Sequence, residues 1–236
     1  MRVDNGCAPS HARAMCLELP ETGYRDAMEF QRAVVYARAS GALHRDIFIF
    51  IEHTPVFTLG RRGGEESITV PQELLRRSDI PVIRTDRGGT VTYHGPGQIV
   101  MYPIVSLRKA NLRVAEFVDL LEEVMIRTAA RWNVAAGKDP RNRGAWVGNG
   151  KLGSVGLAVH RGVTWHGMAL NVNLDLEPFS WIDPCGLTGV KMTSIAAESE
   201  TRVTVRDVLP VMKENVENLF GVNLEPTARE KLSESF

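Results

Sequence analysis

A single α+β domain, with a mixed sheet flanked by helices, is the fold class this sequence predicts. Three observations carry it. The chain has 236 residues, 44% of them hydrophobic and 24% charged, which is ordinary for a soluble globular chain and enough for one sizeable core. Runs with strand character and runs with helical spacing both occur. They follow one another without the steady strand–helix alternation of a parallel doubly wound sheet.

Residues 1–15 (MRVDNGCAPSHARAM) lack the apolar centre of a secretory signal and read as a short flexible lead-in to a domain over residues 16–236. Tyr24 to Ala39 has helical spacing, with Ala27, Phe30, Val34 and Val35 on related faces. Asp46 to Glu52 (DIFIFIE) is a short apolar run bounded by polar residues and Pro55, the pattern of a buried strand. Pro81 to Thr85, Thr90 to Tyr93 and Gln98 to Val105 read as further strands separated by glycine turns. Val114, Phe117, Val118, Leu121 and Met125 form one apolar stripe, predicting a helix. Gly144 to Val147, Leu152 to Val159 and Val163 to Val172 return to strand character. A last helix is expected over Asp207 to Phe220, with Asp207 as N-cap and Pro210 in the first turn.

Composition excludes several classes. Lys+Arg 28 against Asp+Glu 28 gives zero formal charge, not the basic excess of a nucleic-acid binder. No apolar stretch is long enough to span a bilayer. Cys7, Cys16 and Cys185 are odd in number, widely spaced and form no CxxC, which argues against a disulfide framework and for a reducing, cytoplasmic setting. His53, His94, His160 and His166 show neither HExxH nor HxH spacing, so no metal is expected.

Glycine is densest in DRGGTVTYHGPGQIVMYPI, from Asp86 to Ile104, and again in GNGKLGSVGLAV, from Gly148 to Val159. Neither is a phosphate cradle. There is no GxxxxGK[ST], and Gly95-Pro96-Gly97 lacks the third glycine of a dinucleotide fingerprint. A nucleophile elbow would need glycine where Leu152 stands. Tight hairpins are the plain explanation of such clusters. Beside charged and aromatic residues, they also suit a narrow slot for an extended, unbranched ligand, with bare N–H groups for an acyl carbonyl. Between Arg61 and Arg113 nine basic residues stand against five acidic ones. That is either a solvated face or a docking surface for an acidic partner.

Cys185 lies between Pro184 and Gly186, a setting that exposes a side chain at a turn. A lone cysteine is usually a small buried hydrophobe. To act as a nucleophile it needs an activator, because the thiolate is the reactive form. His166 and Lys151 are the candidates, Lys151 within its own glycine cluster.

At this point the sequence resembles a family, the lipoyl(octanoyl) transferases, also called lipoate-protein ligase B. The likeness runs from about Leu17 to Phe220 and includes EHTPVFTLGRRG (Glu52 to Gly63), RGGTVTYHGPGQIVMYPI (Arg87 to Ile104), GKLGSVGLAV (Gly150 to Val159), TWHGMALNV (Thr164 to Val172) and DPCGL (Asp183 to Leu187). The resemblance implies a catalytic domain of the biotin/lipoate protein ligase type, built on a bent mixed sheet. It implies transfer of an octanoyl group from octanoyl-acyl carrier protein to a lysine of lipoyl domains, in 2-oxoacid dehydrogenase complexes and the glycine cleavage H protein, without a cofactor. It places the acyl-thioester nucleophile at Cys185 and its partner lysine at Lys151. The family's substrate-binding segments fall on Arg87, Gly88, Gly89, Thr90, Val91, Thr92, Tyr93 and His94, on Ser154, Val155 and Gly156, and on Gly167, Met168 and Ala169. A thioester donor needs no ATP, which agrees with the missing phosphate loop. The rivals are an ATP-dependent lipoate or biotin ligase, a non-enzymatic acyl-binding protein, and a related amidotransferase with the same thioester chemistry but a different donor.

Overall fold

The computed structural model describes residues 12–183 and 190–233. Its main sheet is mixed and eight-stranded, in the order β10-β8-β9-β6-β2-β1-β11 with β7 paired to β8. These strands are β1 (Ala12–Glu18), β2 (Ile47–Ile51), β6 (Gln98–Ile104), β7 (Gly144–Val147), β8 (Gly150–His160), β9 (Val163–Asn171), β10 (Lys191–Met192) and β11 (Val222–Pro226). A second sheet, β4-β3-β5, joins β3 (Val56–Leu59), β4 (Val82–Arg84) and β5 (Val91–His94). The helices are α1 (Tyr24–Ser40), α2 (Gln72–Arg77), α3 (Val114–Ala130), α4 (Ile195–Glu198), α5 (Val205–Phe220) and α6 (Arg229–Ser233). No helix among the described residues is long and apolar enough to cross a membrane.

The central strand β2 shows why the sheet is covered on both faces. Its sequence IFIFI is buried at every position, and side chains alternate across a strand. Phe48 and Phe50 enter one core with Phe117, Leu121 and Met125 of α3 and Val208, Met212 and Val216 of α5. Ile47, Ile49 and Ile51 enter the other, with Ala27, Phe30 and Val34 of α1. Phe220 joins helix to strand, its ring 5.3 Å from Phe48 and 5.5 Å from Phe117. An apolar residue at every β2 position is therefore the signature of a strand between two helical layers.

Three features differ from expectation. The first strand begins at Ala12, so residues 12–15 belong to the sheet and not to the lead-in. Ala12 pairs with Val222, and Met15 with both Ile47 and Glu225. Its two charged side chains and single buried alternation hid it. Strand β3 was missed because four residues between Pro55 and Gly60 are too few to show a period. Finally, Thr204 is the N-cap of α5. Asp207, at the third helical position, accepts from the Thr204 backbone N–H at 3.0 Å and from its hydroxyl at 2.6 Å. Pro210 consequently sits inside the helix, in its second turn.

Candidate active site

The β4–β5 loop, residues 85–90, folds against β8. Its Gly88 N–H donates to Leu157 O at 3.0 Å. Arg87 is buried and acts as the loop's internal staple. Its Nη2 donates to Thr58 O at 2.6 Å and to Thr90 O at 3.1 Å, its Nε to Thr58 Oγ1 at 3.2 Å and its Nη1 to Gly88 O at 2.9 Å. Gly156, opposite on β8, is needed for this approach, since a Cβ there would lie 3.1 Å from Arg87 Cδ and 3.3 Å from Gly88 O. The glycines expected to clear a path for the ligand first let two pieces of backbone close on each other.

That closure walls a cavity of about 280 Å³. Residues 87–92, His94, Ser154–Gly156 and Gly167–Ala169 all line it, as does Lys151. Three segments far apart in sequence thus meet at one site. Tyr93 is the exception among the predicted residues. It turns away into the core of the smaller sheet, its ring 5.4 Å from Phe57 and 5.5 Å from Phe179. The buried end of the cavity holds Tyr24, Val100, Tyr102 and Met168, and the rim holds the exposed Arg62, Val114 and Arg143. A cavity of roughly 150 Å³ accepts a benzene-sized guest, so this one has room for a longer unbranched chain.

Lys151 is fully buried on β8. Its Nζ lies 2.5 Å from Asn142 Oδ1 and 5.2 Å from the centre of the Trp146 ring. Met192 of β10 pairs with Lys151, and the Thr193 N–H donates to Lys151 O at 3.0 Å. The chain that follows the Asp183–Leu187 motif therefore runs beside this lysine. Cys185 itself lies outside the described residues, as does Cys7. Cys16 packs in the core below α5, and burial pushes its thiol up to about 11. It stays protonated and inert at neutral pH.

His166 shares the cavity. It sits at φ +53° within β9, and Gln31 Oε1 accepts from its backbone N–H at 3.1 Å. Its Nε2 is 2.9 Å from Asp86 Oδ1, while Nδ1 is buried without a partner among the described residues. Burial holds its pKa below the ordinary 6.5 despite Asp86. His94 and His53 lie 5.7 Å apart, ring to ring, in a second buried group. His53 Nε2 meets Tyr102 Oη at 2.6 Å, and His94 Nδ1 meets Gln98 Oε1 at 2.7 Å. Among the described residues no three His, Cys, Asp or Glu side chains gather as a metal site.

Sequence reasoning did not find Tyr24, Tyr102, Asn142 or Arg143, and it reads Arg62 as part of a basic stretch rather than as a residue of the cavity rim. Val114 and Val118, expected in the core, instead turn toward the cavity, and Val114 is 47% exposed. Their i, i+4 spacing was a signal, but it did not say which of two apolar surfaces they would face.

Residues 23–217 match the lipoyl protein ligase A/B catalytic domain. The chain belongs to that family. An octanoyltransferase of Desulfotalea psychrophila is 49% identical over 207 residues, covering 87% of this chain and 93% of that protein. One from Caldicellulosiruptor bescii is 40% identical, covering 92% and 97%. Among solved structures, the bipartite lipoate protein ligase of Thermoplasma acidophilum superposes with a TM-score of 0.73 at 14% identity, over 95% of this chain and 91% of that one. The biotin protein ligase of Aquifex aeolicus in complex with biotin and ATP gives 0.53 at 9%, over 87% and 70%. At these identities the structures show the fold alone, and the fold is the one this family shares with the biotin ligases.

Proposed function

We propose that this chain is an octanoyltransferase that carries the acyl group on Cys185, taking it from octanoyl-acyl carrier protein and giving it to a lysine of a lipoyl domain. The observation that carries the reading is a buried lysine amine in the wall of an acyl-sized cavity, beside the chain that follows the cysteine motif. The relatives named octanoyltransferase support the same activity.

The steps balance without ATP. Cys185 gives its proton to Lys151 and its thiolate attacks the donor thioester. The bond from the acyl carbon to the carrier sulfur breaks, and that sulfur leaves with the proton held on Lys151. The acceptor lysine amine then attacks the Cys185 thioester and gives a proton to Lys151, which passes it to the departing Cys185 sulfur. One thioester replaces another, and the amide formed last is the more stable acyl bond. Lys151 serves as base and acid in turn.

Intact mass measurement after incubation with octanoyl-acyl carrier protein, without ATP, tests this. One octanoyl adduct should appear on the wild-type chain, vanish on adding a lipoyl domain, and be missing from Cys185→Ser. Cys16→Ser should retain the adduct. No adduct without ATP, or a full adduct on Cys185→Ser, overturns the reading.

A further inference from the structure

The Lys151 amine faces a neutral partner in a loop that contains charged ones. Asn142 Oδ1 stands 2.5 Å from Lys151 Nζ. The amine donates and the amide oxygen accepts, so it is the oxygen that faces inward. The nearby carboxylates hydrogen-bond elsewhere, although Asp139 still interacts with Lys151 through space. Asp139 accepts from Arg141 Nε at 2.8 Å and Nη2 at 2.7 Å. Glu122 of α3 accepts from the Gly144 N–H at 2.7 Å and pairs with Arg143 at 3.1 Å. Asn142 is itself held on both sides. Its backbone oxygen accepts from Trp146 Nε1 at 3.0 Å, and Glu122 anchors the chain two residues on.

We propose that Asn142 is a positioning residue for the transfer reaction, aiming the Lys151 amine into the acyl cavity while leaving it free to give up its proton. The inference rests on the octanoyl-transfer reading. Its logic is chemical. An amine that must both take and return a proton needs an acceptor to fix its direction. A carboxylate in that position would also stabilise the ammonium and hold the proton back. An amide oxygen supplies direction without a net charge. The wall of fixed groups around it, with the Trp146 ring on one side, keeps the amine from swinging on its four-carbon stem.

Among the described residues, the other charged or titratable groups near Lys151 include Asp139, Arg141 and Arg143 of the loop, Glu122 of α3, and Arg87 and His166 across the cavity. All are unchanged in the variants that test the idea. Asn142→Ala removes the acceptor. Asn142→Asp keeps its shape and adds the charge. The rate of acyl-enzyme formation on the full chain is followed by intact mass across pH 6 to 10, alongside the melting temperature and the KM for octanoyl-acyl carrier protein.

Asn142→Ala should form acyl-enzyme about tenfold more slowly or worse at neutral pH, with KM little changed. Asn142→Asp should move the rising limb of the pH–rate profile upward by about one unit or more and recover rate in alkali, as an added opposite charge requires. A merely structural asparagine would not move that limb. Wild-type rates in Asn142→Ala, or a profile of Asn142→Asp that superposes on the wild type, overturns the proposal. Should Asn142→Ala not fold, the isosteric Asn142→Asp decides alone. A wild-type chain that forms no acyl-enzyme would instead sink the octanoyl-transfer reading, so the two failures are distinct.

Discussion

Gly156 shows how one missing side chain shapes the site. A Cβ at its position opposite Arg87 would need its neighbours to give by a few tenths of an ångström, and the arginine cannot move aside easily because four acceptor atoms hold its guanidinium. Gly156→Val should push the 87–90 loop off β8 and cut octanoyl transfer by about tenfold or more, with a smaller effect on melting temperature. A folded Gly156→Val that transfers normally would show that this wall does not touch the acyl chain. His166 makes the complementary point. A non-glycine residue at φ +53° within a strand is uncommon and is retained where surrounding structure fixes it. Here Gln31 and Asp86 do so, and the result is an imidazole lining the cavity.

At the scale of elements, α3 links the core to the site. Phe117, Leu121, Val124 and Met125 face inward and anchor it. Glu122, one residue past Leu121, is buried on the side toward the 138–144 loop, where it meets the Gly144 N–H, Arg143 and, at 3.8 Å, Lys138. Only Glu122 of this group is buried, Arg143 and Lys138 being about half exposed, so its removal chiefly strips the buried Gly144 N–H of its acceptor, a loss of about 2 kcal/mol. Glu122→Ala should therefore destabilise by roughly that amount in urea titration and slow transfer as well, because the loop also carries Asn142. Glu122→Gln keeps an oxygen for Gly144 and should lose less of both. Equal stability for Glu122→Ala and the wild type would mean that the loop is held by other contacts.

Two properties belong to the whole molecule. His53, His94 and His166 are all buried with pKa values below the ordinary 6.5, burial being the largest cause in each, and His53 is brought down to about 4. The unfolded chain therefore binds more protons than the folded one as pH falls below about 6.5. Stability should be full above that value and decline down to about 4, with His53 alone accounting for on the order of 3 kcal/mol. Urea midpoints at a series of pH values check this, and His53→Gln should flatten the slope. A midpoint independent of pH over that window would contradict it. The second property is surface charge. The basic excess between Arg61 and Arg113 is not one continuous face. Arg87 is buried, Arg76 and Arg77 pair with Glu73, and Arg113 pairs with Glu116. Arg61 and Arg62 remain exposed with no ion pair among the described residues, and Arg62 stands on the cavity rim. Reversing both to glutamate should raise the KM for an acidic carrier and weaken its salt dependence, whereas reversing Arg76 and Arg77 should not. An unchanged KM at low salt would return the first pair to the solvated surface.

By itself the sequence determined what is local or repeated. The spacing of Ala27, Phe30 and Val34 marks α1, the run IFIFI marks a strand buried on both faces, and the ordered motifs from Glu52 to Leu187 mark the family. The glycine-rich segment around Lys151 also marked a stretch that the structure places in the cavity wall. Tertiary structure alone decided which side of a strand or helix meets the ligand. Tyr93 lies inside a predicted binding segment yet turns into the smaller sheet, and Val114 and Val118 leave the core for the cavity. The contact between Asn142 and Lys151 was equally hidden. Nine residues separate them, but the β7–β8 hairpin folds the chain back between them, and a hydrogen bond across such a fold follows no period along the chain. Periodicity reports which residues share a face, and only packing decides what that face will touch.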